Sequence, residues 1–371
     1  MGIIDCDVHN DWQTAEVLLP YLDPEWRDYF TRGELPGLKG AFPHAHRPWL
    51  HPEDFRRADI HPQAQSEHYT IMKQQLLDRF PIEWAILTGE EALEVSTLAN
   101  PHYATGLARA YNRWLIDYWL PLDERFKGSL IIAPQDPHGS AKMIREMGTH
   151  PDMVQVFMSS GSYRPYGDRF YHPIWEAASE VGIPMTVHLG GQGGINYAPI
   201  GSGPVTFYWE THTLLCQPGM THVTSAIVNG CFEKWPNMKL IMVENGVAWF
   251  PPLLWRMDAN YKALRKETPW LKKLPSEYAR GHVRFTSQPL ESPPNNDWLI
   301  ANLEAMDAKH TLMFASDYPH WDFDDPFQLN IPREWKENIY RNNALETYTK
   351  IQPKVDGLSW RDVPSSQVAA D

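Results

Sequence analysis

Ile3-Ile4-Asp5-Cys6-Asp7-Val8-His9-Asn10 lies almost at the N-terminus, and its reading governs that of the whole chain. Two β-branched residues open it as a buried strand would, and it then turns polar. Side chains alternate faces along a strand, so Asp5, Asp7 and His9 are expected on one side and Cys6 and Val8 on the other. A carboxylate and an imidazole two residues apart on one face, at a strand's end, make a two-toothed metal clamp. A buried Asp–His hydrogen bond is the plain structural alternative, and these residues alone do not choose between them. The choice is made downstream.

Short apolar runs recur along the chain at Trp84–Gly89, Ser129–Ala133, Val154–Met158, Met185–Leu189, Leu240–Val243, His282–Ser287 and Leu312–Asp317. Helical segments alternate with them. Between Tyr103 and Leu120, for instance, Leu107, Tyr111, Trp114, Leu115 and Tyr118 recur at the spacing of a helix face packed on a sheet. Eight strands alternating with helices predict an α/β chain folded as a (β/α)8 TIM-like barrel. A doubly wound open sheet would need a phosphate-binding glycine loop after the first strand, and the sequence has none there. Residues 1–350 are expected to form this single domain. Residues 11–80, rich in Pro, His and Trp, form a long capping insertion after strand one; 190–221 form a long active-site loop; and 351–371 form a peripheral tail.

The 371 residues, 43% of them hydrophobic, suffice for a large core. A net charge of −13 argues against nucleic acid or an anionic membrane surface as partner. No apolar run reaches the length of a membrane span, and the chain turns acidic too early for a signal peptide. Cys6, Cys216 and Cys231 have no CxxC spacing, which suggests reduced thiols and a cytoplasmic location. The 16 tryptophans among many other aromatics suggest an oligomer, either of identical chains or with a paralogue.

In a (β/α)8 barrel, chemistry collects at the C-terminal ends of the strands. Polar residues stand there in this sequence: Asp7 and His9 after strand one, His188 after five, Glu244 after six and Asp317 after eight. Each alone has a structural explanation. Five together, each at the matching strand end, point to a metal site.

The chain here resembles the amidohydrolase superfamily, in its amidohydrolase-2 branch of aminocarboxymuconate semialdehyde decarboxylase-like enzymes. The resemblance runs from Ile3 to about Tyr348. It is carried by Asp5-Cys-Asp-Val-His9, Tyr171-His-Pro-Ile-Trp-Glu-Ala-Ala178, Ile183-Pro-Met-Thr-Val-His188, Trp235-Pro-Asn-Met-Lys-Leu240, Trp249-Phe-Pro251 with Arg256-Met-Asp258, and Phe314-Ala-Ser-Asp-Tyr-Pro-His320. It implies a divalent metal held by Asp7, His9, His188 and Asp317. Two departures stand out. The first-strand pair, usually His-x-His or Glu-x-His, is Asp7-x-His9, and Glu244-Asn245 replaces a histidine common at the end of strand six.

A glutamate beside a cation stays ionised and can ligate or bridge a second ion, so Glu244 is expected both as a ligand and, with His320, as a catalytic group. His320 and His212 are candidates for a second metal, or for hydrogen bonding behind the ligands. A carboxylate-rich set of this kind suits iron or manganese as well as zinc. One branch of the family uses this barrel as a dinuclear nonheme oxygenase. The expectation taken forward is therefore an O2-dependent hydroxylase (monooxygenase) of a small organic substrate, with two iron ions or iron and manganese. The alternative is a mononuclear zinc or manganese hydrolase or decarboxylase of a small carboxylate, ester or amide. A further alternative is a metal-binding, non-catalytic subunit of a paralogous complex.

Overall fold

The computed structural model describes residues 2–10, 12, 14–31, 65–89, 91–191, 206–320 and 322–354. Eight parallel strands stand side by side in chain order: β1 Ile3–Val8, β2 Ile82–Leu87, β3 Phe126–Ile131, β4 Met153–Ser159, β5 Met185–His188, β6 Leu240–Val243, β7 Val283–Thr286 and β8 Leu312–Met313. Every strand is buried along its length, as expected where helices cover one face and a barrel lumen the other. The fold is the (β/α)8 barrel expected.

Two apolar clusters define its layers. Ile4, Cys6, Trp84, Ile86, Ile241, Val243 and Met313 meet in the lumen, where Ala344, Tyr348 and Ile351 close the floor. Ile3, Val8, Ala85, Leu87, Leu240, Met242 and Leu312 belong to the second cluster, with Leu107, Tyr111, Ile144 and Trp175 from the surrounding helices. The helices begin where the sequence caps them. The Asn100 side chain accepts the N–H groups of His102 and Tyr103, ahead of the helix Pro101–Trp114. Asp136 does the same for Gly139 in Pro137–Met147.

Strict alternation along β1 fails. The ladder with β2 shifts register between Asp5 and Val8, and the shift places Cys6 and Val8 in different clusters. Such a bulge re-aims the residues beyond it, so Asp5 no longer shares a face with Asp7 and His9. The seam between β8 and β1 is closed by Cys6 N–H to Phe314 O at 3.0 Å, His9 N–H to Tyr318 O at 2.7 Å and a bridge between Val8 and Tyr318.

Other expectations shift in detail. The stretch read as a loop over 190–221 is helical at Tyr208–Thr213 and again from Cys216, while 192–205 fall outside the described residues. Glu210 accepts the N–H groups of Thr206 and Phe207 and so caps the first of these helices from within. Of the insertion expected at 11–80, Ala15–Tyr21, Pro24–Phe30 and Gln65–Met72 are helical, and 32–64 fall outside the described residues. Residues 351–354 belong to the barrel rather than to a peripheral tail: Ile351 is buried in the floor, and Gln352 O accepts the Trp84 indole N–H at 3.0 Å. No described helix is long and apolar enough to cross a membrane.

Candidate active site

The strand ends deliver the expected residues to one mouth. Asp7 and His9 follow the bulge in β1, His188 ends β5, and Asp317 lies just beyond β8. All four are buried, and each offers one ligand atom within 4.8 Å of the others. His9 Nε2 stands 2.9 Å from Asp317 Oδ1, and His188 Nε2 stands 3.2 Å from Asp7 Oδ2. Nδ1–H of His188 donates to Leu189 O, which leaves Nε2 as the nitrogen facing the cluster.

Glu244 enters from the end of β6, with Oε2 3.6 Å from His188 Nε2. It also groups with Asp317 and His320 as a second set of donors within 4.8 Å. Among the described residues only Glu244, Asp307 and Asp317 combine a side chain with positive φ, at 54°, 60° and 58°. Left-handed backbone costs a non-glycine residue about 1–3 kcal/mol and persists only where the surroundings impose it. Two of the three such residues lie in this cluster, and strain of this kind concentrates at functional sites.

Electrostatics divides the carboxylates. Burial opposes ionisation of Asp7, but His188 and then His9, with hydrogen bonds from His188 and Thr88, hold it down at about 2. Burial likewise opposes the cationic form of His188, yet Asp7 raises its pKa above the usual value. Glu244 behaves differently: burial and then the charge of Asp317 push its carboxyl well above the usual range. Asp5, buried behind the cluster, is pushed up to about 7 by burial, partly offset by hydrogen bonds from Ser316.

His320 joins the cluster. Its Nδ1–H donates to Asp317 Oδ2 at 2.8 Å, and its ring centre lies 4.6 Å from that of His9. Its side chain is 18% exposed, whereas those of His9, Asp7, His188 and Asp317 are at most 1% exposed. His212 stands apart from both donor groups, on Tyr208–Thr213, with Nε2 3.3 Å from Asp322 Oδ2. Sequence reasoning missed Thr88, whose hydroxyl donates to Asp7 Oδ1 at 2.5 Å from the end of β2. Its signal was present: a lone hydroxyl closing an apolar run at a strand end. Asp322 was missed as well, since nothing in the sequence places it beside His212.

A (β/α)8 barrel with buried imidazoles and carboxylates converging on the C-terminal mouth defines a barrel enzyme with a metal-type donor site. The chain belongs to the amidohydrolase family, whose sequence profile matches residues 4–350. It is 26% identical, over 198 residues, to the γ-resorcylate decarboxylase of Rhodococcus jostii; that match covers 50% of this chain and 59% of the relative, so it takes in under two thirds of the relative's length. Two solved structures share the fold. The 5-carboxyvanillate decarboxylase of Sphingomonas paucimobilis has a TM-score of 0.66 at 21% identity, covering 94% of this chain and 99% of that one. A dihydroxybenzoic acid decarboxylase from a Polaromonas species, with bound manganese and the inhibitor 2-nitroresorcinol, has a TM-score of 0.63 at 18% identity, covering 94% and 97%.

These relatives overturn the expectation of an O2-dependent hydroxylase with paired iron or iron and manganese. They are decarboxylases, not oxygenases. The expectation rested on reading Glu244, from its residue type alone, as a ligand or bridge for a second ion. Hydrogen bonds already engage the other carboxylates: Asp7 is met by His188 and Thr88, and Asp317 by His9 and His320.

Proposed function

We propose that the chain is a divalent-metal-dependent, non-oxidative decarboxylase of a small aromatic acid. The observation that carries this reading is the donor group Asp7, His9, His188 and Asp317, gathered at the mouth of a barrel similar in sequence to a γ-resorcylate decarboxylase. Two buried imidazoles and two buried carboxylates suit manganese or zinc, and the manganese in the Polaromonas structure supports that choice. When bound, such a cation supplies Lewis acidity, steadying negative charge on a carboxylate or phenolate oxygen of the substrate.

The remaining work falls to the protein. Loss of CO2 breaks the bond from ring carbon to carboxyl carbon and leaves its electron pair on the ring, so that ring carbon must take a proton. Glu244 is assigned to deliver this proton: its carboxyl is buried at the barrel mouth and groups with Asp317 and His320, through which it can be reprotonated. His320, the most open side chain of the group, is assigned to resupply it, with Nδ1–H fixed on Asp317 Oδ2.

The test is CO2 release under argon by the manganese-loaded protein, from a panel of hydroxybenzoates that includes γ-resorcylate and 5-carboxyvanillate. Turnover in D2O should place deuterium on the ring carbon that lost CO2. Absence of CO2 across the panel, with hydrolysis of aryl esters or amides instead, would overturn the assignment.

A further inference from the structure

We infer that Asp5 is a positioning residue for the donor cluster, its carboxylate clamping the seam between β1 and β8 from which Asp7, His9 and Asp317 project. The inference rests on the reading that this cluster holds a cation. Asp5 is fully buried yet belongs to neither donor group. Its side chain lies at the seam between β1 and the segment after β8. There its Oδ1 accepts two backbone N–H groups, from Ser316 at 2.9 Å and from Asp7 at 3.3 Å. One belongs to a donor residue itself, and the other to the residue just before Asp317.

The position of this clamp in the seam gives it its importance. On either side, main chain meets main chain: Cys6 N–H reaches Phe314 O, and His9 N–H reaches Tyr318 O. Between these rungs the Asp5 side chain receives the Ser316 N–H. Directly after Ser316 the chain enters left-handed backbone at Asp317, with φ 58°, and Asp317 N–H returns to Asp7 O at 3.2 Å. Asp5 thus ties the bulge that aims Asp7 to the turn that aims Asp317. The other oxygen of Asp5 is buried with no hydrogen-bond partner, so the backbone contacts of this carboxyl are those of Oδ1.

The experiment is titration of the metal-stripped full-length protein with Mn2+, following free Mn2+ by electron paramagnetic resonance, with a thermal melt of each metal-free variant. Asp5→Ala removes the clamp and should weaken Mn2+ binding by about 10- to 100-fold, the usual cost of losing support behind a ligand. Asp5→Asn keeps an oxygen acceptor at the same reach and should bind within about threefold of wild type. Ile351→Ala, in the barrel floor, should lower the melting temperature without changing Mn2+ affinity. Asp5→Glu carries the acceptor one methylene further out and should weaken binding about tenfold, which decides the case if the alanine variant does not fold. Wild-type affinity in Asp5→Ala or Asp5→Glu would overturn the inference, as would an Asp5→Asn protein as weak as Asp5→Ala. Equal weakening in Ile351→Ala would reduce Asp5 to general stability and overturn it too. A wild-type chain that takes up no Mn2+ would instead overturn the site reading itself.

Discussion

Glu244 and His188 lie close together at the barrel mouth, and substitution should separate their roles. His188→Ala removes an imidazole whose Nε2 faces Asp7, and the protein should then lose stoichiometric manganese, measured by atomic absorption, while its circular dichroism is unchanged. Glu244→Gln keeps the shape but removes the transferable proton. It should retain manganese and lose CO2 release by about 10²- to 10⁴-fold. Metal lost along with rate would make Glu244 a ligand instead. His188, Glu244 and Asp317 were legible because each closes an apolar run, so one rule about strand ends finds all three. Asp5 was visible but misassigned to the face of Asp7, because a bulge leaves no mark on an alternating pattern. The chemistry was misread for a related reason: the sequence shows how many carboxylates converge, not which imidazoles meet them.

The helix Cys216–Val228 shows the same limit one level up. Its first residues fall in the stretch read as loop, yet it holds Pro218 in its first turn, where Pro is tolerated. Gly219 packs closely here: a Cβ there would lie 2.8 Å from Asn245 Oδ1 and 3.1 Å from the Trp249 ring. This helix carries His222, whose Nε2–H donates to Ser160 O and whose Nδ1 accepts the Tyr166 N–H. Burial lowers its pKa from 6.5 to about 4. Below pH 6.5 the unfolded chain takes up a proton that the folded imidazole refuses, so stability falls as pH drops from 6.5 toward 4 and levels off below. The loss is on the order of 3 kcal/mol. Denaturant midpoints measured from pH 7 to pH 4.5 should show this slope, and His222→Gln should flatten it. An unchanged slope in that variant would place the pH dependence elsewhere.

At the scale of the molecule, the barrel is sealed at the end opposite its chemistry. Ile351 fills the floor, and Trp84 is held between Lys127 Nζ at 4.3 Å and Lys354 Nζ at 4.4 Å from its ring centre. Ile351→Ala should therefore cost about 2–4 kcal/mol in denaturant unfolding. The barrel itself was the most legible feature, since eight buried strands repeat one pattern that no single misread turn can hide. The seam between β8 and β1 was not legible, because its partners lie more than 300 residues apart, as His9 and Asp317 do at a separation of 308. That separation sets the order of events during synthesis. Asp7 and His9 leave the ribosome ahead of Asp317, a partner made only after almost the whole barrel has been translated. On the reading that the cluster holds a cation, it therefore cannot assemble until all eight strands have been made, and metal loading reports on the completeness of the fold.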